Sequence, residues 1–306
     1  MSNAVCCATV IMDFDGTLTA EETQVAPLAE RSLDTLATEV LGVSRDRLAE
    51  DYAATRACLL GAPHLYCWEV NGLVASYCDE GAFILNTTTL QVMLRENPDY
   101  ARATAVAFPG GEYDPVVDCT NYLFHRHTAE LPPAFRAGAR DVLSWLLDRP
   151  EYEPVVLTNS LGDKVRRYLD LLALDREVAV LGDTRQYEMD PRWTHRFIHP
   201  VLGPIQVWPV SEERRIDLRR PAYYRALVEA ARPVDGSARR RRLAVVADTL
   251  SLPGALPLVM GIPFFLLRTP YTPAWCAQAV DAHPLGQVLE DLEALPTALK
   301  LLSDLL

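Results

Sequence analysis

Two carboxylates, Asp13 and Asp15, end an apolar run near the start of the chain. The run is Val5-Cys6-Cys7-Ala8-Thr9-Val10-Ile11-Met12, and Asp13-Phe14-Asp15-Gly16-Thr17 follows it. Apolar residues rich in β-branched types that stop at an acidic, Gly-containing turn predict a buried strand of a parallel sheet. Ligands of open α/β sheets bind just beyond the carboxyl ends of the strands, so both acids fall where a site is expected. Alternation along a strand puts residues 13 and 15 on one face, and the turn at Gly16 keeps them at the sheet edge. A carboxylate pair in that position can hold Mg²⁺, and one member can attack phosphorus as a nucleophile.

The elements that must position this pair follow from the rest of the chain. From Leu18 to about Thr128 there is no second buried parallel strand. Leu33, Leu36 and Val40 share a helical face, a helix is expected over Arg45–Leu60, and turn signals recur at Gly61-Ala62-Pro63, Asn71-Gly72 and Pro109-Gly110-Gly111. About 110 residues is too long for a loop. Residues 21–127 are therefore expected to form a mainly helical subdomain, and 1–20 with 128–306 an α/β core.

After Pro132 strands and helices alternate. Phe135, Ala139, Val142 and Leu146 share a helical face, and a strand at Pro154–Thr158 ends in Asn159-Ser160. A helix carrying Leu161, Val165, Leu169 and Leu172 leads to a strand at Val178–Leu181. Residues 183–218 are irregular, with a small β excursion, and Pro221 opens a helix with Tyr224, Leu227 and Val228 on one face. Strands follow at Leu243–Ala247 and Pro263–Leu267, then a leucine-rich surface helix from about Leu285. This rhythm predicts a Rossmann-like, doubly wound parallel sheet. In that winding strand 1 lies between strands 2 and 4. Asp13 and Asp15, Thr158 and Asn159, and Asp248 then meet at three neighbouring strand ends.

Bulk properties exclude some classes. With 306 residues, 49% of them hydrophobic, the chain can bury a full core. A net charge of −12 argues against nucleic acid as a partner, and no stretch is long enough to span a bilayer. Seven cysteines without zinc-like spacing argue against a disulfide framework and fit the reduced thiols of a cytoplasm. Asp13 interrupts the first apolar run and no basic segment precedes it, so the run is read as a strand and not a signal peptide. Lys164 and Lys300 are the only lysines in the sequence.

These motifs resemble those of the haloacid dehalogenase (HAD) superfamily. Asp13-Phe14-Asp15-Gly16-Thr17 is similar to its first motif and Leu157-Thr158-Asn159-Ser160 to its second. Arg219-Arg220-Pro221 stands where the third is expected, and Val245-Val246-Ala247-Asp248-Thr249-Leu250-Ser251 is similar to part of the fourth. The resemblance implies that the insert at 21–127 is a cap. It implies that Asp13 is a nucleophile forming an aspartyl-phosphate, and that Asp15 protonates the leaving alkoxide and then activates water. Thr158 and the amides near Asn159 would hold phosphoryl oxygens. The Asp13 carboxylate, the Asp15 main-chain carbonyl and the Asp248 carboxylate would hold Mg²⁺. A leaving halide needs no proton, so an acid two residues after the nucleophile favours phosphoryl transfer over dehalogenation.

The chain departs from the family pattern twice. The third motif is usually a Lys. Here Arg220, just before a Pro-started helix, is expected to supply that charge and to bind phosphate oxygens bidentately. Lys164, in the helix after strand 2, is the other candidate, with a surface position as its plainer reading. The fourth motif usually carries another acid four or five residues after its Asp, but those positions are Leu252 and Pro253. Loss of a supporting group lowers metal affinity by about 10–100-fold, and Thr249 or Ser251 can partly substitute through water. The expected activity is Mg²⁺-dependent hydrolysis of a small phosphorylated metabolite. The alternative is a catalytically weak or inactive protein that binds a metabolite or a protein partner, and a phosphotransferase is a third reading.

Other candidates are read plainly. His125 and His127 share a face if their segment is a strand, and are taken as a surface pair. Arg239 to Arg242 are taken as a solvated turn, and Tyr66, Trp68 and Tyr77 as subdomain core. Gly162 suggests a close backbone approach, and Asp183 is given no chemistry.

Overall fold

The structure is a computed structural model and describes residues 8–111, 113–232 and 242–305. The expectations for Val5, Cys6 and Cys7, for Arg239, Arg240 and Arg241, and for Leu306 lie outside these residues. Six strands form one parallel sheet: β1 (Ala8–Met12), β2 (Tyr152–Leu157), β3 (Ala179–Leu181), β4 (Arg242–Ala247), β5 (Phe264–Leu267) and β6 (Gly286–Leu289). Their order is β6-β5-β4-β1-β2-β3, the doubly wound arrangement. Met12 of β1 lies opposite Val246 of β4 and Val156 of β2, so the first strand is central.

Both faces of the sheet are covered. Val10, Met12 and Phe14 join one core layer with Val142, Leu146 and Val165, while Ile11, Val245 and Ala247 join the other with Tyr223, Leu227 and Leu256. Burial on both faces is why these strands read as continuous apolar runs instead of alternating ones. β6 was not expected. Its four residues, Gly286-Gln287-Val288-Leu289, carry too short a pattern to stand out from the leucines behind them. The helix that follows, Leu295–Leu305, is not a surface helix: Leu295, Ala298 and Leu299 are buried on the sheet and Leu301 is exposed.

The chain divides into two units. One comprises Met1–Ala20, Glu69–Ser76 and Phe135–Leu306, and the other Glu21–Trp68 and Tyr77–Ala134. The second unit is helical, and its helices begin where the sequence supplies caps. Ser44 accepts the Arg47 N–H, Asn97 those of Asp99 and Tyr100, and Asp114 those of Val116 and Val117. Pro98 and Pro115 then sit at the start of their helices, where a missing N–H does no harm. Leu33, Leu48, Leu90, Leu94, Tyr100 and Leu123 form this unit's core.

Asp114-Pro115 also corrects the histidine reading. His125 and His127 lie in the helix Pro115–Thr128, not in a strand, so residues two apart point away from each other. His127 is buried with Nε2 3.0 Å from Thr35 Oγ1, and His125 is exposed.

The unit boundaries differ from 21–127 in two places. The helical unit continues to Ala134, and Glu69–Ser76 belongs to the α/β unit. Cys67–Val70 and Leu73–Tyr77 pair across the Asn71-Gly72 turn, whose two residues have φ of 53° and 73°. The Asn71 amide Nδ2 donates to the Met189 carbonyl at 2.7 Å, and the Ala75 carbonyl accepts from Arg220 Nη2 at 2.6 Å.

Of the described cysteines, Cys58 is exposed, Cys67 is half-buried, and Cys78, Cys119 and Cys276 are buried. Among the described residues no helix is long and apolar enough to cross a membrane.

The excursion at 183–218 contains two hairpins, Phe197–His199 with Gly203–Ile205 and Val207–Pro209 with Arg215–Asp217. The first is pinned by a ring contact between His199 and His283, with centroids 5.6 Å apart. His199 Nδ1 accepts the N–H groups of Val201 and Leu202, and His283 Nδ1 accepts that of Leu285, so both rings are held neutral. Burial, with a smaller effect of His199, pushes the His283 pKa down to about 4. A depressed folded pKa means that the unfolded chain takes up the proton first. The neutral ring's contribution to stability is complete above about 6.5 and is lost as pH falls toward about 4. His283→Asn keeps an acceptor for Leu285 and cannot gain a proton. Its urea midpoint is expected to fall less than that of the native protein across this window, and equal falls would contradict the assignment.

Candidate active site

The sequence-predicted acids gather within the α/β unit, at the carboxyl edge of the sheet. Asp13 continues β1 by one residue, its N–H donating to the Val246 carbonyl of β4 at 3.0 Å. Asp13 and Asp15 have extended backbones, with φ −69° and ψ 160° and with φ −72° and ψ 129°, and Phe14 between them is helical. Phe14 is buried in the core, its ring centroid 6.4 and 6.3 Å from those of Phe135 and Tyr168. Asp13 and Asp15 are each half-buried. Gly16 then reverses the chain at φ 79°, a conformation that penalises any side chain.

Asp248 follows β4 and is 4% exposed. Its carboxylate occupies the space that a side chain at residue 16 would need: a Cβ there would lie 2.8 Å from Oδ1 and closer still to Oδ2. Thr17 Oγ1 donates to Asp248 Oδ1 at 3.5 Å. Thr17 is a supporting partner that the sequence reading missed, although it lies inside the first motif. Leu252 and Pro253 are buried in the turn Leu250–Gly254, so no carboxylate comes from those positions.

From β2, Thr158 is 1% exposed, and its Oγ1 accepts the Ser160 N–H at 3.1 Å. Its own hydroxyl proton thus remains to be donated. The Asn159 side chain accepts the Gln186 N–H at 2.7 Å. Ser160 was singled out by no sequence argument, yet its Oγ donates to Asp15 Oδ2 at 2.7 Å. Gly162 does mark a close approach: a Cβ on Gly182 would lie 2.9 Å from the Ser160 carbonyl and run into the Gly162 backbone.

Arg220 is held among main-chain carbonyls. It is 1% exposed, and Nε, Nη1 and Nη2 donate to the main-chain carbonyls of Asp217 (3.2 Å), Gln186 (2.7 Å) and Ala75 (2.6 Å). Three of the five guanidinium N–H donors thus bond to backbone. The buried Tyr223 phenol is pushed well above its ordinary pKa, first by burial and then by the Asp13 charge, while Arg220 opposes the shift. Lys164 is half-buried, with Nζ 5.7 Å from the Tyr168 ring centroid. The Tyr168 pKa is raised by burial, lowered by Arg167 and raised by Asp15.

The donors offered at this edge are oxygens, the set a hard divalent cation prefers. Among the described residues no three His, Cys, Asp or Glu side chains group as metal ligands. Mg²⁺ asks for less, since one or two carboxylates with water and substrate phosphate complete its shell. The bare Gly16 Cα that lets the buried Asp248 carboxylate lie against the acidic turn is the feature that fits such an ion. Gly16→Ala is expected to lose about 1–2 kcal/mol from its backbone conformation alone, with a further loss from displacing Asp248. Gly61→Ala, whose Cβ meets open space, should be neutral or slightly stabilising. Urea denaturation of the two variants checks this, and equal midpoints would contradict the described contact.

No protein-family model and no curated protein matches the sequence. Among solved structures, the HAD hydrolase YfnB of Bacillus subtilis bound to magnesium is similar with a TM-score of 0.51 and 15% identity, over 96% of this chain and 98% of that one. A predicted phosphoglycolate phosphatase of Haemophilus somnus 129pt reaches a TM-score of 0.48 at 13% identity, over 97% and 99%. With the strand order, the central β1 and the similarity to YfnB taken together, the chain has the fold of the HAD superfamily.

Proposed function

We propose that the α/β unit hydrolyses a phosphate monoester of a small metabolite through an aspartyl-phosphate on Asp13. The observation that carries this is the convergence of Asp13 and Asp15 from β1, Thr158 from β2 and Asp248 from β4 at one sheet edge. Asp13 attacks phosphorus. Asp15 gives its proton to the leaving oxygen and later takes one from the attacking water. The Thr158 hydroxyl and the amides of its loop bind phosphoryl oxygens. Arg220 contributes positive charge from its buried position. Asp13, the Asp15 carbonyl and Asp248 would hold Mg²⁺, which when bound offsets the repulsion between carboxylates and phosphate. The helical unit takes the role of cap, selecting the non-phosphate part of the substrate.

A second reading, a weak or inactive metabolite-binding protein, is favoured by the apolar Leu252 and Pro253. The two readings part on one experiment. Release of phosphate from 4-nitrophenyl phosphate is measured with and without Mg²⁺, using the native protein and Asp13→Asn. Metal-dependent release that falls at least about 10³-fold in the variant is the expected result, since the nucleophile is then removed. Unchanged release by Asp13→Asn would overturn the aspartyl-phosphate route, and no release by a folded native protein at millimolar metal would favour the binding reading.

A further inference from the structure

The Ser160 hydroxyl has no part in the roles assigned so far, and its geometry is the best defined at the sheet edge. It is 7% exposed. Its N–H is held by Thr158 Oγ1 at 3.1 Å and its carbonyl by the Asp183 N–H at 3.0 Å. Gly182 lies so close that a Cβ there would sit 2.9 Å from that carbonyl. With the backbone clamped on both sides, the side chain has one strong partner, Asp15 Oδ2, at 2.7 Å. Among the described residues no other hydrogen bond reaches the Asp15 carboxylate.

We infer that Ser160 is a positioning residue that assigns different tasks to the two oxygens of Asp15. This rests on the phosphatase reading above. A hydroxyl that donates to Oδ2 occupies that oxygen as an acceptor and leaves Oδ1 to carry the transferable proton. In the first step an Asp13 oxygen bonds to phosphorus and the bond from phosphorus to the ester oxygen breaks. The ester oxygen keeps the electron pair and takes the proton from Asp15 Oδ1. In the second step water bonds to phosphorus and passes a proton back to Oδ1, and the bond from phosphorus to Asp13 breaks with its pair returning to the carboxylate. Ser160 keeps its own proton throughout. It holds the Asp15 plane so that Oδ1 faces the reacting oxygen in both steps, and misplacement of a reacting group by about 1 Å is enough to slow a reaction by about 10²-fold.

A positioned acid matters most when the leaving group is poor, which gives a readout that general damage does not imitate. The quantity is kcat/KM, which stops at transfer to Asp13, for an alkyl phosphate and for 4-nitrophenyl phosphate. Ser160→Ala is expected to lose about 10–100-fold more on the alkyl ester than on the aryl ester. Ser160→Thr, which keeps the hydroxyl, should restore most of the difference. Circular dichroism confirms that each variant is folded. If the native protein uses both esters and Ser160→Ala slows them equally or not at all, the role assigned to Ser160 is wrong while the phosphatase reading stands. A native protein that hydrolyses neither ester overturns the phosphatase reading and the Ser160 role together.

Discussion

The Asp248 carboxylate lies where a side chain at residue 16 would have to be, and the sheet edge is arranged around that contact. It requires β1 and β4 to be neighbours in parallel register, so that Asp13 and Asp248 leave the sheet side by side. It requires glycine at position 16, both for the space and for φ 79°. The turn is held from its other side by Arg136, whose Nη2 donates to the Gly16 carbonyl at 2.7 Å and whose N–H bonds Leu18. Burying the Asp248 carboxylate beside the acidic turn is unfavourable until positive charge or hydrogen-bond donors offset it. Thr17 and Ser160 supply donors to Asp248 and Asp15. A divalent cation would supply the charge.

Arg220 shows how a second buried charge organises the same edge. Its three carbonyl partners come from separate stretches: the hairpin at Ala75, the segment at Gln186 and the turn at Asp217. The Gln186 stretch in turn bonds the β2 loop. The Gln186 N–H donates to Asn159 and the Thr184 N–H to the Thr158 carbonyl, while Asp183 and Arg185 are held at φ 50° and 48°. Residues of that type in this conformation persist only where the surroundings over-determine them. The guanidinium thus ties the segment that bonds the Thr158 loop to the hairpin at Ala75 and the turn at Asp217.

The central strands were legible because burial on both faces leaves uninterrupted apolar runs, and each run stopped at a polar residue. That made the order around β1, and the strand ends at Asp13, Thr158 and Asp248, readable from the sequence. What was not legible depended on tertiary contact. β6 is four residues long and lies next to a run of leucines with helical spacing. His125 and His127 have the spacing of a strand pair, and only the distant start signal Asp114-Pro115 places them in a helix. The docking of Glu69–Ser76 in the α/β unit rests on Asn71 and Arg220 bonding distant carbonyls, which no local pattern announces. Ser160 was passed over for a similar reason: its partner, Asp15, is far away in sequence, and only the adjacency of β1 and β2 brings them together.

The central claim is that Asp13 becomes covalently phosphorylated. The most direct test is to quench the protein during turnover of an aryl phosphate, reduce it with borohydride and map the product by mass spectrometry. An acyl phosphate at Asp13 is reduced to homoserine at that position, and the signal should appear only with substrate present. Homoserine at Asp15 or elsewhere, or none at position 13 under conditions that trap acyl phosphates while phosphate is being released, would contradict the account.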